Sequence, residues 1–139
     1  MDLRQQLIEF EGKVSHAYED HLGYLTIGVG RLIDKRKGGH LTDDEIEYLL
    51  ENDIRRTTTA VLAALPWAKH LNEPRQAVLV GMAFQMGLQG LLGFRSTLES
   101  VRDERYADAA AGMLLSKWAK QTPKRAQRLA RQMETGEWQ

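Results

Sequence analysis

The chain has 139 residues, 42% hydrophobic and 27% charged, and its 19 Lys and Arg balance 19 Asp and Glu. That size and balance suit one soluble folding unit with room for two lobes and a core hiding about two thirds of the unfolded surface. The absence of cysteine excludes disulfides and thiolate chemistry, no 18-residue apolar run suggests a membrane span, and neutral charge without a binding motif argues against nucleic acid.

The neutrality hides an asymmetry. Residues 109–133 carry Lys117, Lys120, Lys124, Arg125, Arg128 and Arg131 with no acid, whereas residues 43–53 carry six acids and no base. Two solvated helix faces of opposite sign are the first reading of this; a basic rim that attracts an anionic polymer is the sharper alternative.

In chain order, Asp2 is placed to cap a first helix whose apolar residues are Leu3, Leu7, Ile8 and Phe10, and Gly12 to stop it. Glu11 then falls in the last turn, where the helix dipole gives a carboxylate no help. Asp2 also stands where a secretory signal would be positive, so no signal peptide is expected and action outside the membrane needs another export route. Residues 16–35 change period. Strands are expected at 17–20, 24–29 and 32–33, joined by His21-Leu22-Gly23 and Gly30. Gly28 and Gly30 alternate with Ile27 and Val29, and glycines so placed mark either a bent hairpin or close backbone approach by a ligand.

Thr42-Asp43-Asp44-Glu45 reads as a capping box opening a long helix to about Leu65, stopped by Pro66. Helical pattern resumes at Trp67. Asn72 caps a segment, apolar nearly all round, that Gly87 is expected to end. Gly90, Gly93, Phe94 and Thr97 are expected in a break. An Ala-rich helix at 106–115 includes Gly112, which suits close helix contact. Thr122-Pro123 reads as cap and first-position proline of a last helix at 123–135, ended by Gly136.

Two carboxyls on different elements, Glu11 and Asp20, with the Thr26 hydroxyl across a tight turn, can work on one bond from two sides. As isolated residues they also read as a surface Glu, a turn Asp and a strand Thr. A wider set is more specific. Glu11-Gly12, Tyr18-Glu19-Asp20, the run from Gly23 to Gly30, Phe84-Gln85-Met86-Gly87, Trp118, Gln121-Thr122-Pro123 and Arg125 together resemble the phage-type lysozymes of glycoside hydrolase family 24, most closely the endolysins of T-even phages. The resemblance runs from the first helix to Trp138.

The resemblance implies an α+β, mostly α, lysozyme-like fold over residues 1–139. A small β-containing lobe (about 13–60) and a helical-bundle lobe (about 1–12 and 61–139) would be joined by a long helix, with substrate between them. It implies a muramidase that hydrolyses the β-1,4 bond between N-acetylmuramic acid and N-acetylglucosamine in peptidoglycan. Glu11 would be the general acid, held near a working pKa by its site. Arg125 would pair with it, an effect that favours the ionised form and must be balanced by burial. Asp20 would be base or electrostatic partner and Thr26 would hold the attacking water. That is the inverting geometry, with carboxyls roughly 6.5–9.5 Å apart. Gly30, Leu32, Phe84, Gln85 and Thr97 match substrate-binding positions, although Phe84 suits core packing as well. Tyr18 and Tyr24 would stack on sugar or fill the small lobe. No metal or other cofactor is expected, and His16, His21, His40 and His70 lack ligand spacing. The partner would be a glycan strand, the protein a monomer made in the host cytoplasm and reaching the wall after holin-type release.

Three departures stand out. Arg31 replaces a histidine of the T-even enzymes and is expected to pair with Asp53 without titrating near neutral pH. Gly112 replaces a polar groove residue. The segment between Asp34 and Thr42 is short. Two rival readings remain: a non-catalytic wall-binding or structural module on the same fold, and a different glycan enzyme such as a chitinase or lytic transglycosylase.

Overall fold

The computed structural model describes residues 2–139. It divides into two compact units, 1–49 and 50–139. The fold is α+β and mostly α.

In the first unit, α1 spans Leu3–Glu11, with the Asp2 carboxylate accepting from the Gln5 amide at 2.7 Å. Gly12 stops the helix at φ 78°, a left-handed value that favours glycine. Three antiparallel strands follow in the order β1 (Val14–Glu19), β2 (Leu25–Gly28), β3 (Arg31–Leu32). Tyr18 pairs with Thr26, and Thr26 pairs with Leu32. Between Val14↔Gly28 and Tyr18↔Thr26, β1 advances four residues while β2 advances two, so β1 is bulged.

The strands differ from expectation at their ends. The first begins at Val14 and releases Asp20 into the turn, because the Asp20 carboxylate takes turn amides. The second is Leu25–Gly28, since Gly28 and Gly30 adopt φ of 71° and 59° and bend the chain. The third is Arg31–Leu32. The boundary between the units falls inside α2 (Asp43–Ala64), and α1 lies in the same unit as the strands. The capping box is formed: the Thr42 amide donates to Glu45 Oε1 at 2.9 Å, and the Glu45 amide to Thr42 Oγ1 at 3.4 Å.

In the second unit, Pro66–His70 forms a 3₁₀ turn rather than an α-helix. Next come α3 (Glu73–Leu92), α4 (Arg95–Arg102), α5 (Tyr106–Leu114), α6 (Lys117–Gln121) and α7 (Pro123–Thr135). Asn72 caps α3, accepting from the Arg75 amide at 3.1 Å. Gly87 breaks α3 at φ 81°, ψ 162°, yet helix resumes to Leu92. The expected break at Gly90 to Thr97 is therefore shorter, and Thr97 lies in the first turn of α4. Thr122 is the N-cap residue of α7 and Pro123 opens the helix, as expected, but the Thr122 hydroxyl donates to the Trp118 carbonyl at 3.1 Å and makes no cap bond of its own to α7. The hydrophobic core is here. Val61, Val78, Leu79, Met82, Leu91, Val101, Met113 and Met133 are buried, with Ala109, Ala126 and Ala130 letting α5 and α7 approach closely. No single helix among the described residues is long and apolar enough to cross a membrane.

Candidate active site

Glu11 ends α1, and its carboxyl packs on the β2–β3 turn. A Cβ built on Gly30 would lie 2.5 Å from Glu11 Oε2 and 2.9 Å from Cδ. Bare backbone at Gly30 is what leaves the carboxyl its place. Within the first unit Glu11 is exposed.

Asp20 sits at the other end of β2, in the turn Asp20–Gly23. The Asp20 amide donates to the Tyr24 carbonyl at 2.8 Å and the Gly23 amide to the Asp20 carbonyl at 3.0 Å. The carboxylate Oδ1 accepts from the Leu22 and Tyr24 amides, both at 2.9 Å. Those bonds favour the ionised form. The Tyr24 amide, aided by the Leu22 amide and by His21, outweighs desolvation and holds the Asp20 carboxyl below its ordinary value. Oδ2 has no partner among the described residues and can accept from water.

Thr26, in the middle strand, is the one buried side chain of the unit among the described residues, 6% exposed. Its hydroxyl makes only a long bond to the Tyr24 carbonyl, 3.4 Å. Tyr18 and Leu32 flank it in register, Tyr18 edge-on to His16 at 6.4 Å and Leu32 exposed. Lys37 lies over Tyr24 with Nζ 5.8 Å from the ring centroid. The structure thus gathers Glu11, Asp20, Thr26, Gly30 and Leu32 about one small sheet.

Arg31 forms its salt bridge with Glu45, in the same unit; Asp53, its expected partner, belongs to the second unit. Glu45 is in the first turn of α2, held toward β3 by the Thr42 box, whereas Asp53 is two turns further along. The Thr42 amide and hydroxyl, and then Arg31, hold the Glu45 carboxyl below its ordinary value against some desolvation. The capping motif was readable; that its Glu also meets Arg31 depends on where β3 lands.

The remaining positions belong to the second unit. Phe84 is 45% exposed on α3, so it is not core. Gln85 accepts from the Trp118 indole at 2.9 Å. Thr97 is 5% exposed and faces Gly112, where a Cβ would come within 2.7 Å of Thr97 Oγ1. Arg125 donates to the Gly81 carbonyl at 3.3 Å. The Thr97–Gly112 contact and the Gln85–Trp118 bond join residues distant in sequence, and the small size of Gly112 was the one hint of either.

Glu11 at the end of α1, Asp20 in the β1–β2 turn and Thr26 in β2 thus surround a three-stranded antiparallel sheet that is followed in the chain by a helical unit. The family model described as phage lysozyme matches residues 8–135, and the chain belongs to that family. It is 31% identical to "Probable T4-type lysozyme 1" of Dictyostelium discoideum, over 91% of this chain and 89% of that one. It is 32% identical to "Peptidoglycan hydrolase gp36" of Pseudomonas phage phiKMV, over 94% of this chain but 15% of that protein. It is 29% identical to "Pre-baseplate central spike protein Gp5" of Enterobacteria phage T4, over 98% of this chain and 28% of that protein.

Proposed function

We infer that this chain is a peptidoglycan hydrolase of the glycoside hydrolase type, a muramidase that cuts the β-1,4 bond between N-acetylmuramic acid and N-acetylglucosamine. Family membership and the peptidoglycan hydrolase among its relatives support the substrate. The observation that supports the mechanism is the placing of two carboxyls about one small sheet, Glu11 at the end of α1 against the bare Gly30 backbone and Asp20 in the β1–β2 turn, fixed through Oδ1. In this reading Glu11 protonates the leaving glycosidic oxygen. Asp20 Oδ2 and the Thr26 hydroxyl hold a water, and Asp20 takes its proton as it attacks the anomeric carbon. Bond cleavage adds that water, with inversion. By the resemblance Leu32, Phe84, Gln85 and Thr97 are glycan-contacting residues and Arg125 is a supporting one. The protein acts as a monomer on the cell wall after release by a holin-type route.

Clearing of outer-membrane-permeabilised Gram-negative cells tests this. The wild type clears the suspension and Glu11→Gln does not; equal clearing by both removes Glu11 from the chemistry.

A second reading is a structural or wall-binding module without catalysis. It is favoured by the relative named as a spike protein, in which the matched part is 28% of the chain. Sedimentation of the protein with purified walls that survive uncut would support it.

A further inference from the structure

The first unit leaves much apolar surface uncovered; Thr26 is its one buried side chain among the described residues. A groove of about 680 Å³ lies between its sheet and the start of α2. Ile27 and Ile33 form the sheet wall, the Ile33 amide donating to the Leu25 carbonyl at 2.9 Å. Leu41, Tyr48 and Leu49 form the helix wall, all three exposed, Tyr48 by 65%. Asp44 and Tyr48, like Glu45 and Leu49, are four residues apart, so this wall is one face of α2. The loop between Ile33 and Leu41 does not cover it. Gly39 folds back on Leu25 and Ile33, whose side chains a Cβ would meet at 3.1 and 3.3 Å, and no residue of 34–40 lines the groove. The charge along the helix wall has one sign. Residues 41–49 carry four acids and no base. Arg31, the one cation in the walls, is taken by Glu45, so Asp44 lines the groove without a pairing cation among the described residues.

An open trough with apolar walls along a helix face suits a helix laid in it better than a small enclosed ligand. Acids on its rim select cations flanking that helix's apolar stripe. A second copy docked groove to groove would set one Asp44 rim against the other. The basic α7 of a second copy offers no free apolar stripe either, since Ala126, Ala130 and Met133 are buried in its own core. We propose that this groove docks an amphipathic helix of a partner protein, with Leu or Phe facing Ile27, Ile33 and Leu49 and Lys or Arg beside Asp44. Tyr48, an aromatic side chain with a polar tip, is the anchor on this side. The proposal stands apart from the hydrolase reading, because the walls include none of the residues proposed to cut or contact glycan.

The test titrates labelled synthetic helices with the full chain, following fluorescence anisotropy, and locates the contact by methyl NMR. The probe carries Leu and Phe on one face and Lys on the other; one control replaces its Lys by Glu and another scrambles its order. The Lys helix should bind saturably and shift the methyls of Ile27, Ile33, Leu41 and Leu49. Both controls should bind at least about tenfold more weakly. Tyr48→Ser should weaken the Lys helix by about tenfold and Asp44→Asn by about three- to fivefold. Leu115→Ser, which removes an apolar side chain 82% exposed in the second unit, should bind within about twofold of wild type. Tyr48 is exposed, so its removal spares the fold, and the methyl spectrum checks this. No saturable binding of the Lys helix by wild type, equal binding of either control helix, an equal loss in Leu115→Ser, or shifts confined to other methyls overturns the proposal. Sedimentation that finds the wild type paired with itself and Tyr48→Ser monomeric also overturns it, since the groove then belongs to a second copy.

Discussion

The carboxyl of Glu11 occupies the space that a side chain on Gly30 would fill, with Oε2 2.5 Å from the position of the missing Cβ. Gly30 also holds φ at 59°. Two costs follow from Gly30→Ala. The left-handed backbone destabilises the unit by about 1 kcal/mol. The displaced carboxyl costs more in rate, because a shift of roughly 1 Å at a reacting group is worth about a hundredfold. Steady-state kinetics beside thermal unfolding separates the two. An unchanged kcat would show that the carboxyl needs no fixed seat.

In the proposed mechanism Asp20 sets the acid side of the pH profile. The Tyr24 and Leu22 amides hold its carboxyl below the ordinary aspartate value, so the base is lost only as pH falls through that lowered folded-state value. Any stability it gives follows the same sign, present above its unfolded value and lost on acidification. The acid limb of kcat/KM should therefore lie below the ordinary aspartate range. Asp20→Asn should lower kcat by about 10²- to 10⁴-fold. An acid limb at or above the ordinary value would remove Asp20 from the role of base.

The Arg31–Glu45 pair predicts an order of effects. The Thr42 amide and hydroxyl lower the Glu45 carboxyl more than Arg31 does. In Arg31→Gln, NMR titration should still find Glu45 below its ordinary value. Thr42→Ala should raise it and cost about 1 kcal/mol as a lost helix cap. The stabilisation is present above the unfolded value and fades as pH falls through the folded one. Full reversion of Glu45 in Arg31→Gln would invert that order.

Gly136 closes α7 at φ 71°, and the start of α3 grips it there. Asn72 Nδ2 donates to the Gly136 carbonyl at 3.0 Å, and Arg75 donates to the Met133 and Glu134 carbonyls at 2.8 and 2.9 Å while lying 3.6 Å over the Tyr106 ring. A Cβ on Gly136 would meet Arg75 Cζ at 2.8 Å. Gly136→Ala should destabilise by about 1–2 kcal/mol. Denaturant unfolding with an unchanged midpoint would contradict this.

What could be read from residues alone was what is local. Asp2, Thr42, Asn72, Gly12 and Gly136 announce their helix ends because capping chemistry spans three or four residues. Gly87 announced a break but not that helix resumes beyond it, since the resumption depends on packing of the core. Thr122 is the cap residue its sequence announces, but its hydroxyl bonds back to the Trp118 carbonyl, a partner set by α6. The site divides in the same way. The family motifs pointed to Glu11, Asp20 and Thr26, but the partner of Arg31 turned on which acid β3 meets, and the cradle between Thr97 and Gly112 turned on two helices crossing.

The most direct test is mass spectrometry of borohydride-reduced fragments from purified peptidoglycan. The account predicts fragments carrying one added water and reduced N-acetylmuramic acid at every new end, with none produced by Glu11→Gln. Anhydro sugars, reduced N-acetylglucosamine at the new ends, or uncut strands after long incubation would contradict it.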